Sequence, residues 1–228
     1  MDLREHSNGE KVEIGILGIS MGNSRFSEDY IRTLFEEMRS EFPGLAVMLP
    51  DVPAQSTLQA LGYSHEKIGR EVRLSFNGII NKCRRAIDLL EIPNVTMISW
   101  SDRAHFGDGK QSVNAVPIGE NLNYLKTYQE IQGLYRNNKT FNSDINYATR
   151  GVLQGKKRKD GRKMNEDDVQ IGTKFLLQEL AFIINAADIL EAKSTSYVYH
   201  ELMPVLENLY KGKYGYSPAP NTGFAVYN

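Results

Sequence analysis

The stretch Val12-Glu13-Ile14-Gly15-Ile16-Leu17-Gly18-Ile19-Ser20-Met21-Gly22-Asn23-Ser24 sets a short apolar run against a serine flanked by glycines. The run from Val12 to Ile19 is too short for a globular helix and reads as a buried parallel strand. The glycines after it permit turns that a Cβ would block. A helix follows: Ser27 is its N-cap, Glu28 and Asp29 are first-turn acids, and Ile31, Leu34, Phe35 and Met38 recur at helical spacing. Ser20 therefore sits on a strand-to-helix turn. Backbone N–H groups converge there on an anion, whether a phosphate or the oxyanion of an acyl transfer. Gly18-x-Ser20-x-Gly22 also has the form of a serine-hydrolase nucleophile elbow. Such an elbow would stand on the first strand rather than after several, and of His6, His65, His105 and His200 only His200 comes late enough to act as its base. The plainest alternative is a serine that merely ends a strand.

Composition narrows the field. With 228 residues and 41% hydrophobic content the chain can bury one sizeable core, and a single domain over 10–215 is expected, with loosely ordered ends at 1–9 and 216–228. A formal net charge of −1 means that any nucleic-acid site must be a local patch. One cysteine, Cys83, excludes an internal disulfide framework and a cysteine-rich zinc site. The charged start, Met1 to His6, and the lack of any run of about 20 apolar residues point to a soluble, cytoplasmic protein.

Apolar strands alternate with helical stretches, which predicts a layered α/β domain with a mostly parallel sheet. Leu45 to Leu49, ending at Pro50-Asp51, reads as the second strand, Val95 to Trp100 as the third and Ser196 to Tyr199 as a late one. Gly155 to Lys163, Gly-Lys-Lys-Arg-Lys-Asp-Gly-Arg-Lys, is a basic stretch that reads as an exposed loop, either a solvated charge run or a nucleic-acid contact.

The clearest helix lies between Ser64 and Leu90, where Ile68, Val72, Phe76, Ile79, Cys83, Ile87 and Leu90 form one apolar stripe. At about 100° per residue, Lys67, Arg70, Arg73, Arg84 and Arg85 gather on the opposite face, with Lys82 at its flank. Charged helix backs are usually of mixed sign; Glu66, Glu71 and Asp88 dilute this one without cancelling it, which suits phosphate-backbone binding. A second helix, Phe175 to Ile184, is apolar almost all round yet contains Glu179. A carboxylate there needs a cation or several donors: a structural ion pair, or a ligand's ammonium group. Phe175, one turn earlier, shares its face. Tyr199-His200 follows at the end of the late strand. Strand carboxyl ends face the ligand crevice of a parallel sheet, so Ser20 and Tyr199 are expected to open on one cavity. A serine on such a turn, a buried carboxylate, a strand-end tyrosine and a basic helix together suggest acyl transfer from a nucleic-acid-linked amino acid.

At these residues the chain resembles the cyclodipeptide synthases, which divert aminoacyl-tRNAs to diketopiperazines. The family's aliphatic strand running into Gly-aliphatic-Ser, then Asn and Ser-x-Phe-Ser, is matched by Leu17 to Ser27. Its tyrosine four residues before a glutamate is matched by Phe175 and Glu179, and Asn23, Tyr199 and His200 match the signature of one branch. The likeness spans about Val12 to Pro204. Phe175 replaces the motif tyrosine, and Ala181 stands where a proline is common.

The resemblance implies a Rossmann-like three-layer domain, its central sheet flanked by helices, similar to the catalytic domain of class I tyrosyl- and tryptophanyl-tRNA synthetases but without the ATP site. It implies two aminoacyl-tRNAs as substrates, a monomer, and no cofactor or metal. Ser20 is then the nucleophile that forms an aminoacyl-enzyme, which a second aminoacyl-tRNA extends to a dipeptidyl-enzyme that cyclises. Backbone donors around Gly22 and Asn23 would bind the oxyanions, Glu179 the first α-ammonium, and Tyr199 would position the aminoacyl group and assist proton movement. His200 is a pocket wall, and Ile16, Gly18 and Met48 line the first aminoacyl pocket. The rival readings are a serine esterase using Ser20 and His200, and a non-catalytic tRNA-binding module indifferent to Ser20.

Overall fold

The computed structural model describes residues 12–101, 114–154 and 156–227. The first strand expected, β1, runs from Ile14 to Gly18 and leads through the serine turn into α1, Glu28–Glu41. Next come β2 (Gly44–Leu49), α2 (Asp51–Ala60), α3 (His65–Leu89), β3 (Thr96–Ser99) and β4 (Asn114–Pro117). The second half adds α4 (Leu122–Asn137), α5 (Lys139–Leu153), α6 (Glu166–Ile183), α7 (Ala186–Ile189), β5 (Thr195–Tyr199), α8 (Pro204–Tyr210) and β6 (Thr222–Val226). The long helix read from the apolar stripe is α3, entered at Ser64 and closed at Leu90. Helix α6 contains the apolar run and is entered through a reciprocal cap between Asn165 and Asp168.

All described strand pairs are parallel, in the order β4-β3-β2-β1-β5-β6. Successive residues of a strand face opposite sides, and the two cores follow that alternation. Leu17, Val47, Met97, Val198 and Ala225 pack under α1 and α3. Ile16, Ala46, Met48, Ile98, Tyr197 and Phe224 pack under α4, α5, α6 and α8 on the other side. The result is the three-layer Rossmann-like arrangement. Cys83 lies inside the first core, where burial pushes its thiol up to about 12. It packs there as a small apolar side chain.

From β1 the chain builds outward through β2 and β3 to β4, then crosses back to lay β5 on the other side of β1. That reversal opens a crevice beyond the carboxyl ends of β1 and β5. One expectation is corrected: residues 216–228 are not simply a loose end. They contain β6, which pairs with β5 from Thr195↔Thr222 to Tyr199↔Val226 and buries Phe224 and Ala225 in the two cores. The expected loose end at 1–9 lies outside the described residues.

Candidate active site

Ser20 stands two residues beyond β1, on a turn closed by its own backbone. The Asn23 N–H donates to the Ser20 carbonyl at 3.2 Å, and the Phe26 N–H to the Asn23 carbonyl at 3.2 Å. Gly22 takes a φ of 78°, in the left-handed region that favours glycine. The Asn23 side chain accepts the Arg25 N–H at 3.0 Å, and Ser27 Oγ accepts the Tyr30 N–H at 3.2 Å to cap α1. Asn23 thus shapes the loop, and its N–H is already engaged within the turn.

Across the crevice the Tyr199 hydroxyl lies 2.6 Å from Ser20 Oγ, joining the ends of β5 and β1. Burial, reinforced by the nearby charge of Glu179, raises the Tyr199 pKa above the usual phenol range; the bond to Ser20 acts the other way. His200 does not take that place. Its ring stands edge-on to Phe26 at 5.8 Å and packs on Tyr199 at 4.1 Å between centroids. Burial and the charge of Arg25 lower its pKa. His200 backs Tyr199, and the hydroxyl of Ser20 is bonded to a phenol rather than to an imidazole.

Glu179 projects from α6 and is 6% exposed. Burial pushes its carboxyl up to about 7, opposed by a hydrogen bond donated by the Tyr197 hydroxyl to Oε1 at 3.3 Å. Sequence reading missed Tyr197 as a site residue. Its signal was available: residues two apart on a strand share a face, so Tyr197 and Tyr199 rise from the same side of β5.

Ser20, Gly22, Phe175, Glu179, Tyr197 and Tyr199 all line one cavity of about 560 Å³. Its walls are largely apolar, including Leu58, Leu61, Val72, Leu153, Ile183 and Met203. Ile16 and Met48 are not among its lining residues, contrary to expectation. Both are fully buried in the core under α6. Tyr197 pairs in register with Ile16, and its hydroxyl reaches Gly18, where a Cβ would lie 2.0 Å from the phenol oxygen. The tyrosine ring therefore occupies the space through which Ile16 and Gly18 would reach a ligand. Asn23 and His200 are likewise absent from the lining.

The basic face of α3 divides. Lys82 Nζ donates to the Phe26 carbonyl at 3.0 Å, and Arg85 pairs with Glu28 at 2.7 Å, so both fasten α3 to the entrance of α1. Arg84 is half-buried, whereas Lys67, Arg70 and Arg73 are exposed. The basic stretch before α6 is not uniformly solvated. Arg158 turns inward with 3% of its side chain exposed and pairs with Asp160 and Asp168, while Lys156, Lys157 and Lys159 line the cavity. Among the described residues no helix is long and apolar enough to cross a membrane, and no group of three or more His, Cys, Asp or Glu could hold a metal.

Comparison with known proteins bears on the family and the fold. A family model described as cyclodipeptide synthase matches residues 6–228. A cyclo(L-leucyl-L-leucyl) synthase of Bacillus subtilis is 28% identical over 214 residues, covering 92% of this chain and 80% of that protein. A solved cyclodipeptide synthase from Staphylococcus haemolyticus superposes with a TM-score of 0.78 at 22% identity, over 94% of this chain and 90% of the other. A Mycobacterium tuberculosis structure, described as relating cyclodipeptide synthetases to type I tRNA synthetases, superposes with a TM-score of 0.71 at 20% identity, over 94% of this chain and 84% of the other. The two superpositions bear on the fold.

Proposed function

Because this chain belongs to the cyclodipeptide synthase family, and is thus a peptide-bond-forming enzyme, we propose that it joins the aminoacyl groups of two aminoacyl-tRNAs through an ester on Ser20. The observation that carries this reading is the contact between Ser20 Oγ and Tyr199 at the strand crossover, in the cavity that also contains the buried Glu179.

In the first step Ser20 Oγ attacks the aminoacyl ester. The ester bond to the tRNA ribose breaks, and the serine proton passes by way of the Tyr199 hydroxyl to the departing ribose oxygen. The Asn23 amide is engaged in the turn, so the oxyanion would be met by other backbone donors of the serine turn, those of Met21 and Gly22 being next to Ser20. Ionised Glu179 holds the α-ammonium of the bound residue. With its carboxyl at about 7, Glu179 is also matched to accept a proton from that group near neutrality. The freed amine attacks the ester of the second aminoacyl-tRNA, releasing that tRNA and leaving a dipeptidyl group on Ser20. Its terminal amine then attacks the serine ester, which closes the ring and returns the proton to Ser20 Oγ.

The apolar walls and the leucyl products named for the relatives favour residues of leucine size. That reading places the enzyme in the cytoplasm, where charged tRNAs are made, acting as a monomer. Incubation with labelled leucyl-tRNA should leave a base-labile leucyl ester on the protein, and mass analysis should find a cyclic dipeptide. If Ser20→Ala makes that product at the wild-type rate, the covalent route is wrong. Hydrolysis of simple activated esters with no product from charged tRNA would favour the esterase.

A further inference from the structure

The basic loop over 156–163 rests on an internal anchor. The guanidinium of Arg158 lies inside the fold and grips Asp160 through two hydrogen bonds, at 2.9 and 2.5 Å, while also pairing with Asp168 at the start of α6. It donates to the carbonyl of Ala60, the last residue of α2, at 3.0 Å. The Lys159 N–H donates to the Leu61 carbonyl at 2.9 Å, and the Lys156 N–H to the Leu153 carbonyl at 3.2 Å. One buried arginine thus ties the loop to the end of α2 and to α6, and α5 holds its beginning.

The neighbouring cations face the other way. Lys156, Lys157 and Lys159 line the cavity that contains Ser20 and Glu179. Lys159 Nζ stands 5.5 Å above the ring of Tyr63, itself a lining residue. Partial burial holds the Lys156 ammonium below the usual lysine range. The acid of α3 among the lining residues is Glu71, and Asp160 is engaged by Arg158 and Arg162. With the loop backbone already fixed, only the lysine side chains lose further freedom on meeting an anion.

We propose that Lys156, Lys157 and Lys159 clamp the sugar-phosphate backbone at the 3′ acceptor end of the aminoacyl-tRNA as its ester enters the cavity. The inference rests on the function proposed above. The reacting ester is carried by the terminal ribose, so when the aminoacyl group reaches Ser20 and Glu179 the adjoining nucleotides would extend along the exposed, lysine-bearing part of the cavity wall. The clamp reads charge and backbone rather than sequence.

The test compares K156Q/K157Q/K159Q with K156R/K157R/K159R in the full chain, circular dichroism confirming that both are folded. The probes are uncharged tRNA and an acceptor-stem minihelix ending in CCA, titrated from about 50 to 200 mM salt. The glutamine variant should bind both probes about tenfold more weakly at the lower salt, and its salt slope should drop by roughly two to three units. Its KM for leucyl-tRNA should rise more than its kcat falls, and the arginine variant should keep the wild-type slope. A wild-type slope in the glutamine variant overturns the proposal, as does a loss seen with whole tRNA but not with the minihelix. If the wild-type chain makes no cyclic dipeptide from charged tRNA, the reading of the site fails. If it does and the glutamine variant binds normally, only the clamp fails.

Discussion

The Tyr197 hydroxyl donates to Oε1 of Glu179 at 3.3 Å, in a place where both side chains are almost fully buried. The bond crosses from β5 to α6 and favours the ionised carboxylate, against a burial penalty that on its own drives the carboxyl upward. Tyr197 thereby raises the charged share of Glu179 near neutral pH, against the larger effect of burial.

Tyr197→Phe removes that donor and keeps the ring. The Glu179 carboxyl should then titrate above 7. A hydrogen bond to a charged group is worth about 1.5–3 kcal/mol and one pKa unit about 1.36 kcal/mol; the lower end of that range suits a bond of 3.3 Å, so the acidic limb of kcat/KM should move up by about one unit. Activity at pH 7 should fall severalfold and converge with wild type near pH 9. A pH–rate profile checks this; an unmoved limb would mean that another group holds the substrate amine.

Glu179→Gln separates stability from function. Folding raises the carboxyl from its ordinary 4.5 to about 7, so in that interval the folded state binds more protons than the unfolded one. Stability therefore falls as pH rises from 4.5 to 7 and stays lower above it, by roughly 3 kcal/mol. The glutamine variant should melt higher than wild type at pH 8 and make cyclic dipeptide more than tenfold more slowly. Full activity would reduce Glu179 to a structural role.

Gly18→Ala probes the close approach of β1 and β5. The added Cβ would meet Tyr197 Oη at 2.0 Å and Cζ at 2.2 Å. Displacing a packed ring costs about 1–3 kcal/mol, and Glu179 would lose its donor. In the double variant Gly18→Ala/Tyr197→Leu thermal stability should recover while activity does not. Independent, additive losses in thermal denaturation would refute the contact.

Arg70→Gln/Arg73→Gln tests the exposed end of α3. If both arginines contact phosphates, tRNA binding should weaken across different tRNAs and the salt slope should drop by about one to two units. Arg85→Gln should change the slope less, since Arg85 is paired with Glu28. Unchanged affinity at low salt for the double variant would make this face ordinary solvated surface.

Much of the fold was legible because its signals are local. The short apolar run of β1, the stripe on α3 and the serine turn each depend on neighbours within a few positions. Strand β6 was not: Thr222-Gly223-Phe224-Ala225-Val226 has an internal glycine and follows a proline-rich approach, and it is a strand because β5 lies beside it. Within the site, Glu179 stood out as an acid in an apolar helix, and Tyr197 passed for ordinary core.

By itself, then, the sequence determined the layered α/β class, a serine on a strand-to-helix turn, a carboxylate forced into a buried helix, and the family these belong to. Only the tertiary structure decided that the partner of Ser20 is Tyr199, 179 positions away, rather than His200. It also decided that Tyr197 closes the space over Gly18 and Ile16, and that Arg158 turns inward while the adjacent lysines turn to the cavity. Periodicity encodes which face a side chain takes. Which side chain it meets there depends on strand order and register, and these are settled when distant segments pack together.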